Sequence, residues 1–152
     1  MTAVPVDVQT EIEIARPRAE VATYAADPNN ATAWYRNIEA VEWMSPQVVA
    51  VGSKIRFVAR FLGRQIAYTY EIRELVPGRR LVMSTAEGPF PMETTYTWDD
   101  ATNTRTRMTL RNRGRPAGFS KVAAPLMATA IRRANSKDLA LLKSILESRG
   151  RR

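Results

Sequence analysis

Apolar and polar residues begin to alternate at the start of the chain. Val6, Val8, Thr10, Ile12 and Ile14 fall on one phase, and Asp7, Gln9, Glu11 and Glu13 on the other. A period of two marks a strand with one buried face. The pattern then changes. "RPRAEVATYAADP" carries Val21, Tyr24 and Ala25 at helical spacing. Pro17 suits a first helical turn, and Pro28 stops the helix soon after Asp27. "NNATAWYRNI" opens on asparagines able to cap a second short helix.

Strands follow in series. Ile38 to Met44 is one. "KIRFVARFLG" puts Ile55, Phe57, Ala59 and Phe61 on one face. Past the tight "LGRQ" connection, "IAYTYEIREL" gathers Ile66, Tyr68, Tyr70 and Ile72. "VPGRR" is a turn signal, "LVMSTAEG" a strand and "GPFP" its break. "METTYTWDD" sets Met92, Thr94, Tyr96 and Trp98 against Glu93, Thr95 and Thr97, and "DDATNT" reads as a turn. "RTRMTLRNR" places Thr106, Met108 and Leu110 together. From about Gly118 to Ser148 the apolar spacing becomes three and four, predicting one long helix. Pro125 should kink it or delay its start. The "RGRR" end, residues 149–152, reads as a frayed basic tail.

The order is strand, two short helices, about six strands and a long helix. Short turns between consecutive strands favour an antiparallel sheet, and helices gathered at the two ends of the sequence favour an α+β fold. The apolar face of that sheet needs a cover. Only the last helix is long enough, at roughly 45 Å for about 30 residues.

Composition narrows the chemistry. The 152 residues fit a single domain, 1–152, and 45% are hydrophobic, enough for a real core. No cysteine is present, which excludes disulfides, thiolate nucleophiles and zinc–thiolate sites. No histidine is present either, so the usual neutral-pH base and commonest metal ligand are missing. No metal or cofactor is expected. The N-terminus has no charged start followed by an apolar block, and no stretch is long and apolar enough to span a bilayer, so cytoplasmic residence is the expectation.

Four stretches, "DPNNATAWYRNIEAVEW", "VGSKIRFVARFLGR", "YEIRELVPGRRLVMSTAEGPFPMETTYTW" and "APLMATAIRRANSKDLALLKSILE", resemble the START-related lipid-transfer superfamily (SRPBCC), within it the polyketide cyclase/dehydrase-like group. The resemblance covers nearly the whole chain. It implies a helix-grip fold, in which a curved seven-stranded antiparallel sheet wraps the long C-terminal helix around an apolar cavity. Members of the superfamily bind lipids, sterols, polyketides or hormones, and some are enzymes.

On that fold the inward face presents Phe57, Phe61, Tyr68, Tyr70, Met83, Tyr96, Trp98 and Met108. Periodicity alone reads these as a packed core; the resemblance turns them into candidate ligand contacts. Tyr68, Tyr70 and Tyr96 are the preferred polar handles, since an aromatic ring with a polar end orients a mostly apolar ligand. Trp34, beside Tyr35, can plug the core, touch the ligand, or both. Phe90 lines the entrance or covers the core edge. Ile131 and Asn135 lie on a helix stripe with Asp138 and Leu142. Asn135 reads first as a solvent-facing boundary position, and otherwise as a cavity group in need of a partner.

In "RTRMTLRNRGR", Arg105, Arg107, Arg111 and Arg113 share the phase opposite Met108 and Leu110. The helix-grip fold places this strand beside the first one, whose outward face is acidic. The arginines therefore read as cross-strand partners of Asp7, Glu11 and Glu13. Arg115, Lys121, Arg132, Arg133, Lys137, Lys143 and the tail remain as the excess behind a net charge of +8. No nucleic-acid-binding signature accompanies them.

The leading expectation is a binder of an apolar, lipid- or polyketide-like small molecule, as monomer or homodimer. The alternative is a polyketide cyclase, aromatase or dehydratase acting in the same cavity. Its weakness is that most strand arginines fall on the outward phase, no histidine is present and the acidic pairs among the strands fall at turns and strand ends. A basic surface meeting nucleic acid or an anionic membrane is the third reading.

Overall fold

The computed structural model describes residues 5–115 and 124–149. Strand β1 (Val6–Ile14) alternates buried and exposed residues as its sequence does. Helix α1 (Arg18–Ala26) starts directly after Pro17, whose carbonyl accepts the Glu20 and Val21 N–H groups at 3.1 Å. A 3-10 turn, Pro28–Asn30, leads into the short helix α2 (Ala31–Trp34).

The capping residue differs from the expectation. Pro28 fixes its own φ and starts the turn a residue early. The cap is therefore Asp27, whose carboxylate accepts from the Asn29 N–H at 2.9 Å. Asn30 instead donates its side-chain amide to the Tyr24 carbonyl at 3.1 Å.

Six strands follow: β2 (Ile38–Trp43), β3 (Lys54–Phe61), β4 (Arg64–Val76), β5 (Arg80–Glu87), β6 (Met92–Thr102) and β7 (Arg105–Gly114). They form one seven-stranded antiparallel sheet in the order β1-β7-β6-β5-β4-β3-β2. Bulges at Thr69/Tyr70 and Ile72/Glu74 in the β4–β5 ladder bend and twist it. Asp99 and Asp100 are not turn residues. They sit opposite Arg107 and Thr106 in the β6–β7 ladder, which runs on to Thr102 opposite Arg105. Leu62 and Gly63 join β3 to β4 with φ of +50° and +78°, a two-residue connection with both central residues at positive φ. For a leucine the left-handed region costs roughly 1–2 kcal/mol.

Helix α3 (Ala124–Arg149) packs against β1 inside the curve of the sheet, the helix-grip arrangement. Pro125 stands in its first described turn, and residues 118–123 of the expected helix lie outside the described residues. Arg149 closes α3 and stacks over Tyr24 at 4.7 Å, and residues 150–152 of the expected tail lie outside the described residues. Lys143 donates to the Glu13 carbonyl at 2.9 Å and Glu147 accepts the Ala15 N–H at 2.8 Å, tying α3 to the end of β1. No described helix is long and apolar enough to cross a membrane.

The outer face of the β1–β7 pair carries the expected charge pattern. Arg105 meets Glu13 and Arg111 meets Asp7, each at 2.6 Å, while Arg113 turns to Glu93 on β6. The inner face holds the core. Trp98 and Met108 lie opposite one another, Met108 also faces Ile12, and both are fully buried with Leu110, Leu139, Leu142 and Leu146. A second cluster gathers Val6, Val8, Phe90 and Met127 with Phe61, Ile66, Met92 and Ile131. Met108→Ala should cost about 2–5 kcal/mol in urea denaturation, because a cavity opens where three strands meet. Arg111→Ala should shift the midpoint far less, its partner staying in water. Equal losses for the two variants would contradict this division of labour.

Candidate ligand cavity

A cavity of about 190 Å³ lies between the two clusters, under α3. A single water needs roughly 10–15 Å³ on this kind of measure, so the interior is far from solidly filled. Topology fixes its position. An antiparallel sheet brings the start of β1, the end of β7, the start of β6, the β3–β4 hairpin and the β5–β6 loop to one pole. Val6, Gly114, Met92, Phe61, Ile66 and Phe90 line the cavity from that pole. From α3 come Met127, Ile131, Ala134, Asn135 and Asp138, and from the α1–α2 corner Pro28, Ala31, Trp34 and Tyr35.

Trp34, Phe57, Phe61, Tyr68, Tyr70, Met83, Phe90, Tyr96, Ile131 and Asn135, all candidate ligand contacts from the sequence, are among the lining residues. Trp98 and Met108 are not. They share the inward face but stand further along β6 and β7, inside the solid core. Phe90 both lines the cavity and belongs to the second cluster. Asn135 does not face solvent: it is only 5% exposed, and its Nδ2 has no partner among the described residues. The Trp34 Nε1 is likewise buried without a partner.

The aromatic walls are in mutual contact. Tyr68 stands 5.0 Å from Tyr70 and 5.6 Å from Phe57, centroid to centroid, with the first pair edge-on. Trp34 lies 4.1 Å from Tyr35 and 5.8 Å from Tyr96. Such tilted and edge-on pairs fix ring orientation as well as burying area.

Polar groups converge on this apolar space in a directed network. The Thr94 hydroxyl donates to the Asn112 side-chain oxygen at 2.6 Å. A threonine has one proton, so the 2.8 Å contact between Tyr70 and Thr94 must be donated by Tyr70. Tyr70 therefore offers a ligand lone pairs only. Tyr35 and Tyr96 share a hydrogen bond of 2.5 Å. Whichever donates, the other keeps a free proton. The Tyr68 hydroxyl has no hydrogen-bond partner among the described residues, so it can donate and accept. Burial pushes the Tyr35, Tyr68 and Tyr96 phenols well above their ordinary value, and Tyr70 up to about 12. All four stay protonated at neutral pH.

A carboxylate does face inward. Asp138 is 3% exposed and lines the cavity. Burial pushes its carboxyl up to about 6, against the Arg36 backbone N–H that donates to Oδ1 at 3.1 Å. Its charge in turn raises the Tyr35 and Tyr96 phenols. Counting back four from Leu142, or forward three from Asn135, reaches Asp138 in the sequence. Thr94 and Asn112 were signalled too, by sharing a phase with Tyr96 and Leu110. Among the described residues no cluster of acidic groups is arranged to hold a metal ion.

A curved sheet gripping one helix over an aromatic-walled cavity defines a helix-grip fold. The chain belongs to the polyketide cyclase / dehydrase and lipid transport family, whose profile matches residues 5–147. Solved structures with the same fold include the Zhui aromatase/cyclase from Streptomyces sp. R1128, at TM-score 0.80 and 19% identity over 97% of each chain. A START superfamily protein from Mycobacterium smegmatis superposes at TM-score 0.80 and 12% identity, covering 93% of this chain and 97% of its own. Ginseng major latex-like protein 151 from Panax ginseng gives TM-score 0.72 and 12% identity, over 92% and 96%. No curated protein sequence matches significantly.

The raised Asp138 carboxyl has a consequence for stability. Its folded value, about 6, exceeds the unfolded 3.8, so the fold holds this proton more tightly than the open chain does. The proton's contribution is complete below the unfolded value, falls as pH rises toward about 6, and is lost above it. Asp138→Asn keeps an acceptor for the Arg36 N–H without the charge. It should be more stable than the parent at neutral pH by on the order of 1–3 kcal/mol, with the difference vanishing near pH 4. Denaturant titrations of both proteins across that range check this. A variant less stable than the parent at neutral pH would refute it.

Proposed function

We propose that the protein holds a mostly apolar, ring-containing small molecule in the cavity between sheet and α3. The observation that carries this reading is the unfilled space itself, walled by Phe57, Tyr68, Tyr70 and Trp34 and met by a few oriented polar groups. Sites of this composition obtain affinity from apolar contact and orientation from the polar minority. A ligand suited to it has a flat apolar body and at least one oxygen acceptor. That acceptor would take the free proton of Tyr68 or of the Tyr35–Tyr96 pair. Membership of a cyclase and lipid-transport family supports this ligand class.

Asp138 favours a second reading, a cyclase or dehydratase using the same cavity. A carboxyl near pKa 6 is suited to take a proton from a carbon beside a ketone. A tyrosine hydroxyl would stabilise the enolate oxygen as the new carbon–carbon bond forms on a second carbonyl. The proton held by Asp138 would pass to the alkoxide formed on that carbonyl; Asp138 would then take the second proton from the same carbon and deliver it to the departing hydroxyl, releasing water and leaving a carbon–carbon double bond. Asp138→Asn should abolish such turnover while leaving ligand affinity within about threefold. Turnover that survives this change would remove the enzymatic reading and leave binding.

Binding itself is tested with anilinonaphthalene sulfonate, followed by its fluorescence, and by native mass spectrometry of the freshly purified protein. Saturable binding at one site is expected. Ala134→Phe, which fills the cavity from α3, should weaken it at least about tenfold with the circular dichroism spectrum unchanged. Undiminished binding in a folded Ala134→Phe protein would place the ligand elsewhere.

A further inference from the structure

The pole at which the cavity lies carries apolar side chains that nothing in the core requires. Leu62 is 48% exposed at the tip of the β3–β4 hairpin, and Leu126 is 65% exposed in the first described turn of α3. Each adjoins in sequence a member of the cluster at this pole, Phe61 and Met127 respectively. Leu62 also occupies a left-handed position, with φ of +50° beside Gly63 at +78°. Asparagine or glycine would suit that backbone better than a branched apolar residue. The leucine is thus unfavourable for the turn and unfavourable in water.

Charge at this pole is mainly positive once the pairs are removed. Asp7, Glu93 and Glu39 are matched to Arg111, Arg113 and Arg60. Arg115, whose N–H donates to the Pro91 carbonyl beside Phe90, forms no ion pair among the described residues. Neither do Arg132, Arg133 and Lys137, all exposed on α3. Leu126, Arg133 and Lys137, at i, i+7 and i+11, share one stripe of that helix. Glu87 and Asp27 are the carboxylates that remain without a cationic partner on this side.

We propose that this pole docks on an anionic lipid bilayer, with Leu62 and Leu126 entering the interface and the arginines meeting the headgroups. Exposed apolar tips among basic side chains are the combination an interface of that kind selects. Nucleic acid would use the charge but has no use for a strained, exposed leucine. The docking rests on the cavity reading only for its purpose, passage of an apolar molecule between membrane and cavity. Its test needs no ligand.

The test is co-sedimentation of the full chain with vesicles of phosphatidylcholine, with and without about 30% phosphatidylserine. Binding to the anionic vesicles should exceed binding to neutral ones by about tenfold, and collapse between about 50 and about 500 mM salt. Leu62→Asn should raise Tm, because it relieves the turn, and yet weaken vesicle binding at least about threefold. Leu126→Gln should weaken it similarly. Val51→Asn, an exposed apolar residue of the β2–β3 connection at the opposite pole, should leave it unchanged. Absence of vesicle binding overturns the proposal, as does wild-type binding by both leucine variants. Competition by duplex DNA with no effect of Leu62→Asn would assign the basic surface to nucleic acid instead. Each of these failures leaves the cavity measurements standing.

Discussion

The pairing of β1 with β7 is the constraint on which the rest of the structure depends. Every other ladder joins strands consecutive in the chain, while this one joins Val6 to Gly114 and Ile14 to Thr106. Closing so long a loop costs entropy before any contact repays it. Register is enforced from both faces at once. A slip of one residue would turn Asp7, Glu11 and Glu13 toward α3 and the valines and isoleucines toward water. The outer arginine–carboxylate pairs and the inner row of Val8, Ile12, Met108 and Leu110 select the same alignment. Each exposed pair contributes little to stability, so their effect is on the choice of neighbour rather than on its strength. With β1 in place, Lys143 and Glu147 have the strand end they hold, and α3 acquires its direction across the sheet.

A single helix is roughly 10–12 Å across with its side chains and cannot fill the concavity of seven strands along its whole length. Where α3 presents Leu139, Leu142 and Leu146, the interior closes and these residues are 1% exposed or less. One to three turns earlier it presents Ile131, Ala134, Asn135 and Asp138 to the sheet, and there the space stays open. Side-chain size along one stripe of one helix thus decides where core ends and cavity begins. Polar groups in the open part would each cost a desolvation penalty if left unpaired. The Tyr70–Thr94–Asn112 chain and the Tyr35–Tyr96 pair satisfy most of them, while the Trp34 Nε1 and the Asn135 amide are left for something else to satisfy.

The fold was legible because alternation and helical spacing are long-range patterns, and because the strand order follows from short turns. The site was legible by face but not by depth. A period of two says that Trp98 and Met108 point inward with Tyr96; it carries no information on how far along β6 and β7 the helix ceases to fill the interior. Asn135 was misplaced for a related reason. An amide on a helix reads as a boundary residue until the curvature of the facing sheet is known. Asp138 lay on the same stripe as Leu142, but an acidic residue among lysines and arginines reads as solvated. Asp99 and Asp100 looked like a turn because the sequence around them is turn-like, and the β7 ladder overrides that local preference.

Asp138 is where the structural and chemical roles of the cavity separate. It fastens α3 to the corner after α2 by accepting the Arg36 N–H, a bond that an asparagine oxygen would make equally well. The carboxyl adds a charge in apolar surroundings, next to two phenols whose own ionisation it suppresses. As a fastening alone, the acid is the poorer choice. Its remaining property is the one the amide lacks, exchange of a proton near pH 6, beside phenols that stay protonated at neutral pH. A ligand oxygen placed against it would meet a donor below that pH and an acceptor above it, whereas Tyr70 could only accept. The arrangement therefore gives the cavity a pH-dependent polarity at one defined position.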